Sequence, residues 1–259
     1  MSVNITNAYA RYRSQSNALL DFAVLVAHAV PALKTEIQAV KAGTLAHLPR
    51  PDFFHKSNRS TPDDLLKTEA HYERYLASYV LLAHFSFFES FVEDLIKELF
   101  VFHGGEAEFL ARIESRVGSF LARQANEKTG AKRKLQDSDK PAWRPRYRKY
   151  SRELDDAGFR FPAELLAPYG VRSLIGKIKN LKAAHIPDLL IHAFQLKLSQ
   201  TEIDKYHQVR SARNAVAHGD PITLTMRQAV EMNRTLRDLA VKIASYMTDN
   251  FFVIEKYIP

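Results

Sequence analysis

The chain has 259 residues, of which 46% are hydrophobic and 25% are charged, and its formal net charge is +8 at pH 7. This length and apolar fraction are enough for one large domain or two small ones. The chain has no cysteine, which excludes a disulfide framework and thiolate catalysis. Because the lack of cysteine suits a reducing compartment, and residues 1–7 show no basic segment followed by an apolar one, we expect a cytoplasmic protein without a secretory signal.

Residues 1–68 are predicted to form a helical extension followed by a linker. Residues 7–41 carry apolar side chains at helical spacing, and Pro31 is the candidate position of a kink. Residues 43–63 hold three prolines, which is typical of a loop or linker.

A long helix with a very apolar face is predicted over residues 65–103, and the Gly-Gly pair at 104–105 is expected to end it. The polar side chains of His84, Ser86 and Glu89 interrupt its most apolar part, residues 75–92. These interruptions favour a buried core helix over a membrane span, so we expect no membrane association.

Positive charge is concentrated in residues 116–152, which hold twelve basic and three acidic residues, so the rest of the chain is nearly neutral. Aromatic residues are interleaved with the basic ones. Basic side chains bind phosphates and aromatic rings stack on unpaired bases, so we interpret the segment as a nucleic-acid-binding insertion at about residues 125–152. A solvated insertion that only keeps the protein soluble has a similar composition. The residues predicted to contact RNA are Lys132, Arg133, Lys134, Trp143, Arg144, Arg146, Tyr147, Arg148 and Lys149.

The other segments are also predicted to be helical. One helix is expected over residues 106–124, and two short helices over 174–184 and 186–198 are separated near Pro187. Apolar residues recur at helical spacing again over residues 226–247. Since no alternating strand pattern is longer than a few residues, the fold class is predicted to be all-α.

The most informative segment contains Arg213, Asn214 and His218, which lie on about one and a half turns of a predicted helix. The helix is expected to start near Ser199, with a polar cap and acids in its first turn, and to stop at Gly219. His218 is therefore expected at a helix C-terminus. The negative end of the helix dipole favours a protonated imidazole there, which suits a general acid.

The chemistry of this segment matches what cleavage of RNA without a metal requires. A guanidinium binds phosphate through a rigid fork of donors, and an imidazole transfers protons near neutral pH. Arg210, Asn214 and His218 are spaced four residues apart on one face, so Asn214 is expected to hold the ring of His218. Arg213 lies roughly 140° around the helix and about 7.5 Å along its axis from His218. One helix presents this pair imperfectly, whereas two copies facing each other across a two-fold axis would form a better pocket.

Glu89, in the middle of the apolar helix upstream, is a candidate supporting residue. It is either a buried acid paired with Arg213 or Arg210, or a residue at a solvent-exposed helix edge. Because an isolated buried carboxylate is costly, the buried pairing is the favoured interpretation.

Arg213-Asn214 followed by His218 and Gly219 resembles the signature of the HEPN superfamily, which is an Arg, a short spacer and a His, with a polar residue after the Arg. The surrounding residues are most similar to the RiboL-PSP-HEPN type. That group also carries an earlier apolar helix with an acidic residue in its middle, which Glu89 matches. The resemblance covers about residues 69–248, interrupted by the basic insertion.

The resemblance implies an antiparallel helical bundle of HEPN type at residues 69–259, preceded by the extension at 1–68. It also implies a homodimeric endoribonuclease with Arg213, His218 and Asn214 in the catalytic site. Arg210 and Glu89 support them, and the products carry a 2′,3′-cyclic phosphate and a 5′-OH. Ribonucleases of this kind resemble toxins or phage-defence effectors, so an antitoxin or a sensor protein is an expected partner, with RNA as the substrate.

Other interpretations remain open. Arg213 and His218 have a simpler explanation if they only cap a helix and satisfy its last carbonyls. A non-catalytic HEPN module that binds nucleic acid or nucleotide and dimerises is the main alternative function. A helical interaction protein whose basic segment recruits an acidic partner is a third. A second Arg–His match, from Arg50 to His55, is interpreted as chance because Pro51 follows the Arg directly.

No cofactor or metal is expected. His185 and His192 are seven residues apart, and His207 and His218 are eleven apart, so each pair could share a helix face. Without cysteine or nearby acidic partners, however, they are interpreted as ordinary histidines. The chain also lacks a Gly-rich phosphate-binding loop.

Overall fold

The structure is a computed structural model that describes residues 6–48, 61–109, 111, 181–194, 196–220 and 223–252. Within these ranges the secondary structure is helical and no strand occurs, which confirms the predicted all-α class. The helices are α1 (Asn7–Lys41), α2 (Pro62–Glu69), α3 (Tyr72–Phe102), a short 3₁₀ helix (Ala183–His185), α4 (Ile186–His192), α5 (Gln200–His218) and α6 (Met226–Asn250).

Helix α1 is a single helix that contains Pro31. Proline removes one backbone donor inside a helix, and Thr35 donates its hydroxyl to the Pro31 carbonyl oxygen at 3.1 Å. The helix ends before Gly43, which has a φ of 74°. This is the left-handed conformation that glycine adopts most easily at a helix C-terminus.

The prediction of one helix over residues 65–103 is wrong at its N-terminal end, because this part forms two helices. Helix α2 already begins at Pro62, inside the predicted linker, where Thr61 and Asp64 form a reciprocal capping box. It ends at Glu69, where the Ala70 backbone N–H donates to the Leu66 carbonyl oxygen and the His71 N–H donates to that of Thr68 in a tightened last turn. The predicted C-terminal end is correct, since α3 stops just before the Gly-Gly pair at 104–105, both with positive φ.

The predicted short helix over residues 186–198 also ends earlier than expected. Helix α4 stops at His192, and the apolar Phe194 and Leu196 beyond it are buried. The hydroxyl of Tyr246 donates to the Phe194 carbonyl oxygen at 2.8 Å, so a tertiary contact replaces a helical hydrogen bond. Residues 106–109 and 111 are helical, and the other residues of the predicted helix at 106–124 lie outside the described residues, as do residues 174–180.

Helix α5 starts and stops where the sequence predicts. At its start, the Glu202 carboxylate accepts from the Ser199 backbone N–H at 2.7 Å, and the Ser199 hydroxyl accepts from the Glu202 N–H at 3.3 Å. At its end, Gly219 has a φ of 78° and donates to the Val216 carbonyl oxygen, while the Asp220 N–H donates to that of Ala215. Both arrangements satisfy backbone groups that a helix end leaves without helical partners.

The chain divides into two compact units, and each of the four long helices contributes to both. The first unit contains Met1–Tyr12, Phe88–Arg210 and Leu236–Pro259. In it, the Glu98 carboxylate accepts from the backbone N–H groups of Asn7 and Ala8 at 2.9 Å each and so caps α1. Its core is aromatic and aliphatic, and its fully buried large side chains include Phe88, Phe91, Leu95, Leu99, Phe194, Tyr206 and Phe251.

The second unit contains Arg13–Phe87 and Ser211–Thr235. Lys34 on α1 pairs with Glu69 on α2 at 3.0 Å. Between α1 and α3, the completely buried Ser16 and His84 share a hydrogen bond of 3.0 Å. The hydrogen bond gives the Ser16 hydroxyl and the His84 Nε2 atom a partner, as buried polar atoms require. The unit also holds the C-terminal part of α5, which carries the Arg–His segment.

Both α1 and α3 are long and apolar enough to cross a membrane by length and composition. In the most apolar 18-residue window, half of α3 is buried but only 11% of α1 is. The burial of α3 supports the expected core helix over residues 75–92. It does not test the expected lack of membrane association. Buried residues such as Val80, Phe85 and Phe88 make α3 a core helix. The membrane expectation stays a prediction.

Candidate functional site

Three of the predicted site residues lie in the last two turns of α5. Arg213 and Asn214 are half-buried, and His218 is the exposed last residue of the helix. The helix is held at this end by Gly219, because its left-handed conformation turns the chain away directly after His218.

The contacts that position Arg213 include a hydrogen bond and a cation–π contact. Its Nη1 atom donates to Oδ1 of Asn214 at 3.1 Å, and its Cζ atom lies 5.4 Å from the centroid of the Phe85 ring. Phe85 is fully buried on α3, so the guanidinium rests against a fixed apolar surface. A planar cation held over an aromatic face loses little further entropy when it binds an oxyanion through its fork of donors.

Asn214 contacts Arg213 and not His218 in this structure. Helical spacing alone predicts that Asn214 holds the imidazole, because side chains four residues apart lie on one face of a helix. The Arg213 side chain is long enough to fold back onto its neighbour, and the amide oxygen of Asn214 accepts from it. Within one chain, therefore, the amide orients the cation.

His218 is exposed at the C-terminus of α5, separated from Arg213 by five residues. That separation is about 7.5 Å along the helix axis and roughly 140° around it. In one copy of the helix, the guanidinium therefore packs against the protein, whereas the imidazole lies on a different face and is exposed to solvent. Both groups suit phosphate chemistry, but a single α5 does not point them at one phosphate.

The two predicted supporting residues belong to the first unit. Arg210 is half-buried on α5, and its Nε atom is buried without a hydrogen-bond partner among the residues that the structure describes. Glu89 is half-buried on α3, which fits neither a fully buried acid nor a fully exposed one. Its pairing with Arg213 or Arg210 stays a prediction.

The predicted RNA-contacting residues, Lys132 to Lys149, lie outside the described residues. In the described ranges, no group of three or more acidic or histidine side chains is arranged to hold a metal ion.

Sequence reasoning missed the role of Phe85. Its apolar helix and its spacing from other aromatic residues indicate a core position, and the structure confirms that position. That the ring also supports Arg213 depends on how α3 packs against α5 within the second unit, and no local pattern encodes that packing.

Comparison with known proteins gives one result. The family model described as RiboL-PSP-HEPN matches residues 52–249, about three quarters of the chain, and this range contains α2 to α6 and all of the Arg–His segment. No curated protein and no solved structure matches significantly. Because the family model covers well over half of the sequence, the chain belongs to the RiboL-PSP-HEPN family, a HEPN-type family.

Proposed function

We propose that this protein is a metal-independent endoribonuclease that cleaves RNA with Arg213 and His218. The observation that carries the proposal is the placement of Arg213. Its guanidinium is held by Phe85 and Asn214 on the same two helical turns that end in an exposed imidazole. A helix cap alone does not require an arginine that is supported by a buried aromatic ring on another helix.

The proposed reaction uses the 2′-OH of the RNA as its nucleophile. The 2′-oxygen forms a bond to the adjacent phosphorus and loses its proton to an imidazole. The bond from phosphorus to the 5′-oxygen breaks, and an imidazolium supplies the proton to the leaving oxygen. Arg213 stabilises the negative charge that develops on the phosphate oxygens, and Asn214 orients Arg213 or contacts the phosphate itself. The products carry a 2′,3′-cyclic phosphate and a 5′-OH.

The active form in this proposal is a homodimer. A single α5 places Arg213 and His218 on different faces of the helix, about 7.5 Å apart along its axis. Two copies related by a two-fold axis bring the arginine of one chain towards the histidine of the other.

The basic segment at residues 125–152 is proposed to add affinity for RNA through phosphate contacts and base stacking. Deleting residues 125–150 is expected to weaken RNA binding most strongly at low salt. Unchanged affinity at low salt would remove this segment from the proposal.

In the cell, we propose that the protein is a cytoplasmic toxin or phage-defence effector that an antitoxin or sensor protein keeps inactive. Support comes from the family, in which the HEPN domain is often a ribonuclease or binds nucleotides. Toxicity on expression that depends on intact His218, and that a neighbouring gene relieves, is the expected result. Harmless expression of a protein that cleaves RNA in vitro would argue against the toxin role.

The decisive experiment incubates the purified protein with RNA in EDTA. Cleavage is expected, with cyclic phosphate ends, while the same sequence as DNA stays intact because it lacks the 2′-OH. Arg213→Ala and His218→Ala are each expected to lower the rate by about 10²–10⁴-fold, which is the usual contribution of such groups. Matched controls are Arg227→Ala and His28→Ala, which remove an exposed arginine and an exposed histidine elsewhere in the second unit.

The same experiment tests the main alternative, a non-catalytic module that binds nucleic acid or nucleotide. RNA binding that survives both substitutions, with no cleavage by the unaltered protein, would support the module and contradict the ribonuclease. Helical content measured by circular dichroism shows that each variant is folded.

A further inference from the structure

Helix α3 carries two exposed aromatic side chains one turn apart. Tyr75 is 43% exposed and Tyr79 is 68% exposed. They are four residues apart, so they lie on the same side of the helix. Isolated exposed aromatic residues are common on protein surfaces, but adjacent ones form a continuous flat apolar area that stays in water.

Two further side chains contact Tyr75, and one of them is a cation. The Arg74 guanidinium lies over the Tyr75 ring, with its Cζ atom 5.2 Å from the ring centroid. The His71 ring meets Tyr75 edge-on, with centroids 6.5 Å apart. We call His71, Arg74, Tyr75 and Tyr79 the tyrosine face. The nearest acid on α3, Glu73, projects about 160° away from Tyr75 by helical geometry, so it does not neutralise the face.

The tyrosine face and the candidate site share one compact unit. Phe85, which supports Arg213, is on the same helix as Tyr75 and Tyr79. It lies six residues after Tyr79 and ten after Tyr75, which is about 9 Å and about 15 Å along the helix axis. A stacked nucleic-acid strand has one phosphate per about 3.4 Å, so a strand with a phosphate at Arg213 reaches this distance within a few nucleotides.

We propose that the tyrosine face is a stacking site for unpaired bases of RNA, on the strand that flanks the phosphate bound at Arg213. This inference rests on the proposed function and assigns it a substrate class, single-stranded RNA. Tyr79 and the part of the Tyr75 ring that Arg74 leaves exposed offer aromatic surface to successive bases, and Arg74 neutralises a backbone phosphate. Stacking accepts every base, so the site selects unpaired structure and not sequence.

A protein partner is the other class of occupant for an exposed aromatic area. The tyrosine face differs from the exposed apolar part of α1 at Phe22 and Leu25, where no guanidinium of the described residues lies over an aromatic ring. Rings with a polar hydroxyl, combined with a cation, match a phosphate-bearing aromatic ligand better than an apolar protein surface.

The test measures RNA affinity without cleavage. In the full-length His218→Ala protein, fluorescence anisotropy compares a short unstructured RNA with a fully paired hairpin RNA. Tyr79→Ala and Tyr75→Ala are each expected to weaken binding of the unstructured RNA by about 5- to 100-fold, the usual effect of losing one stacked base. Binding of the hairpin is expected to stay unchanged.

Substitutions that keep part of the side chain separate stacking from simple burial. Tyr79→Phe keeps the ring and is expected to bind like the parent, whereas Tyr79→Leu keeps an apolar side chain and is expected to bind as weakly as Tyr79→Ala. Phe22→Ala, which removes an exposed aromatic ring from α1 in the same unit, is the matched control and is expected to have no effect.

Each contrary result is distinct. Unchanged affinity in Tyr79→Ala, equal loss for the hairpin, or equal affinities in Tyr79→Leu and Tyr79→Phe would overturn the stacking site. A changed oligomeric state with unchanged RNA affinity would make the tyrosine face a protein contact and would also overturn it.

If the parent binds unpaired RNA through the tyrosines but the unaltered protein never cleaves RNA, the stacking site is supported and the ribonuclease proposal is wrong. If cleavage and RNA binding are both normal in the tyrosine variants, the ribonuclease proposal is supported and the stacking site is contradicted.

Discussion

At the scale of single residues, Phe85 combines a structural and a functional contact. The ring is completely buried on α3 and lies 5.4 Å from the Arg213 guanidinium carbon. Phe85→Leu keeps an apolar side chain but removes the aromatic surface under the cation. We expect the variant to lose roughly 1–2 kcal/mol of stability from imperfect packing and to cleave RNA several-fold more slowly, because Arg213 is no longer held.

A neighbouring phenylalanine provides the control for this prediction. Phe88 is also fully buried on α3, and its ring packs against Tyr206, 5.9 Å between centroids. Phe88→Leu is expected to lower the melting temperature to a similar degree while cleavage per folded molecule stays near that of the unaltered protein. Equal loss of cleavage in both variants would show that Phe85 acts only through stability.

At the scale of secondary structure elements, the end of α5 depends on Gly219. Its φ of 78° lies in the left-handed region, and a Cβ atom there would meet no other atom within 4 Å. The cost of Gly219→Ala is therefore conformational strain and not a clash, about 1–2 kcal/mol. We expect a lower melting temperature and slower cleavage, because His218 directly precedes the strained residue.

Gly43 is the matched control for Gly219. It has a φ of 74°, ends α1, and also has open space where a Cβ atom would lie. Gly43→Ala is expected to cost a similar amount of stability, measured by thermal unfolding, and to leave cleavage unchanged. If Gly219→Ala cleaves RNA as fast as Gly43→Ala, the position of the helix end is not important for catalysis.

The start of α5 is expected to be sensitive to acid. Burial raises the pKa of Glu202, but hydrogen bonds from Lys242 and Ser199 outweigh it, so the pKa of this carboxyl is lower than its ordinary value of 4.5. A carboxyl with a lowered pKa stabilises the fold above its unfolded pKa, and this contribution is lost as the pH falls through the lowered value. The Lys242 Nζ atom lies 2.7 Å from Glu202, and both side chains are about one third exposed.

Glu202→Gln tests this contribution directly. Because a partly exposed ion pair contributes about 0.2–1 kcal/mol, the melting temperature at pH 7 is expected to fall by about 1–4 °C. Relative to the unaltered protein, the deficit is expected to shrink as the pH is lowered below 4.5. Glu36→Gln, at an exposed position of α1, is the control for the loss of one carboxylate and is expected to leave the melting temperature at pH 7 nearly unchanged. A deficit that stays constant down to pH 3 would contradict the assignment.

At the scale of the whole molecule, the proposed site needs two chains. Arg213→Ala and His218→Ala are each expected to cleave RNA about 10²–10⁴-fold more slowly than the unaltered protein. When equal amounts are mixed under conditions that exchange subunits, random pairing gives mixed dimers with one intact pair of side chains. Cleavage is then expected to recover to about a quarter of the unaltered level. A mixture that stays inactive, although mixed dimers are detected, would contradict a site shared between chains.

Much of the fold follows from local sequence. The start and end of α5 were predictable because capping is a short-range interaction, between Ser199 and Glu202 at one end and at Gly219 at the other. Thr61 and Asp64 indicate that α2 starts at Pro62, but the three prolines of residues 43–63 favour a linker at this position. The break between α2 and α3 has neither glycine nor proline, so the sequence pattern runs through it.

The all-α class, the family and the position of Arg213, Asn214 and His218 at one helix end follow from the order of residues alone, because helical period and capping act over a few residues. The contact between Arg213 and Phe85 and the exposure of Tyr75 and Tyr79 depend instead on how the helices pack. Periodicity shows which side chains share a helix face, but what covers that face depends on elements far away in the chain. For that reason, the chemistry of the candidate site was readable from the sequence, and the surroundings that orient it were not.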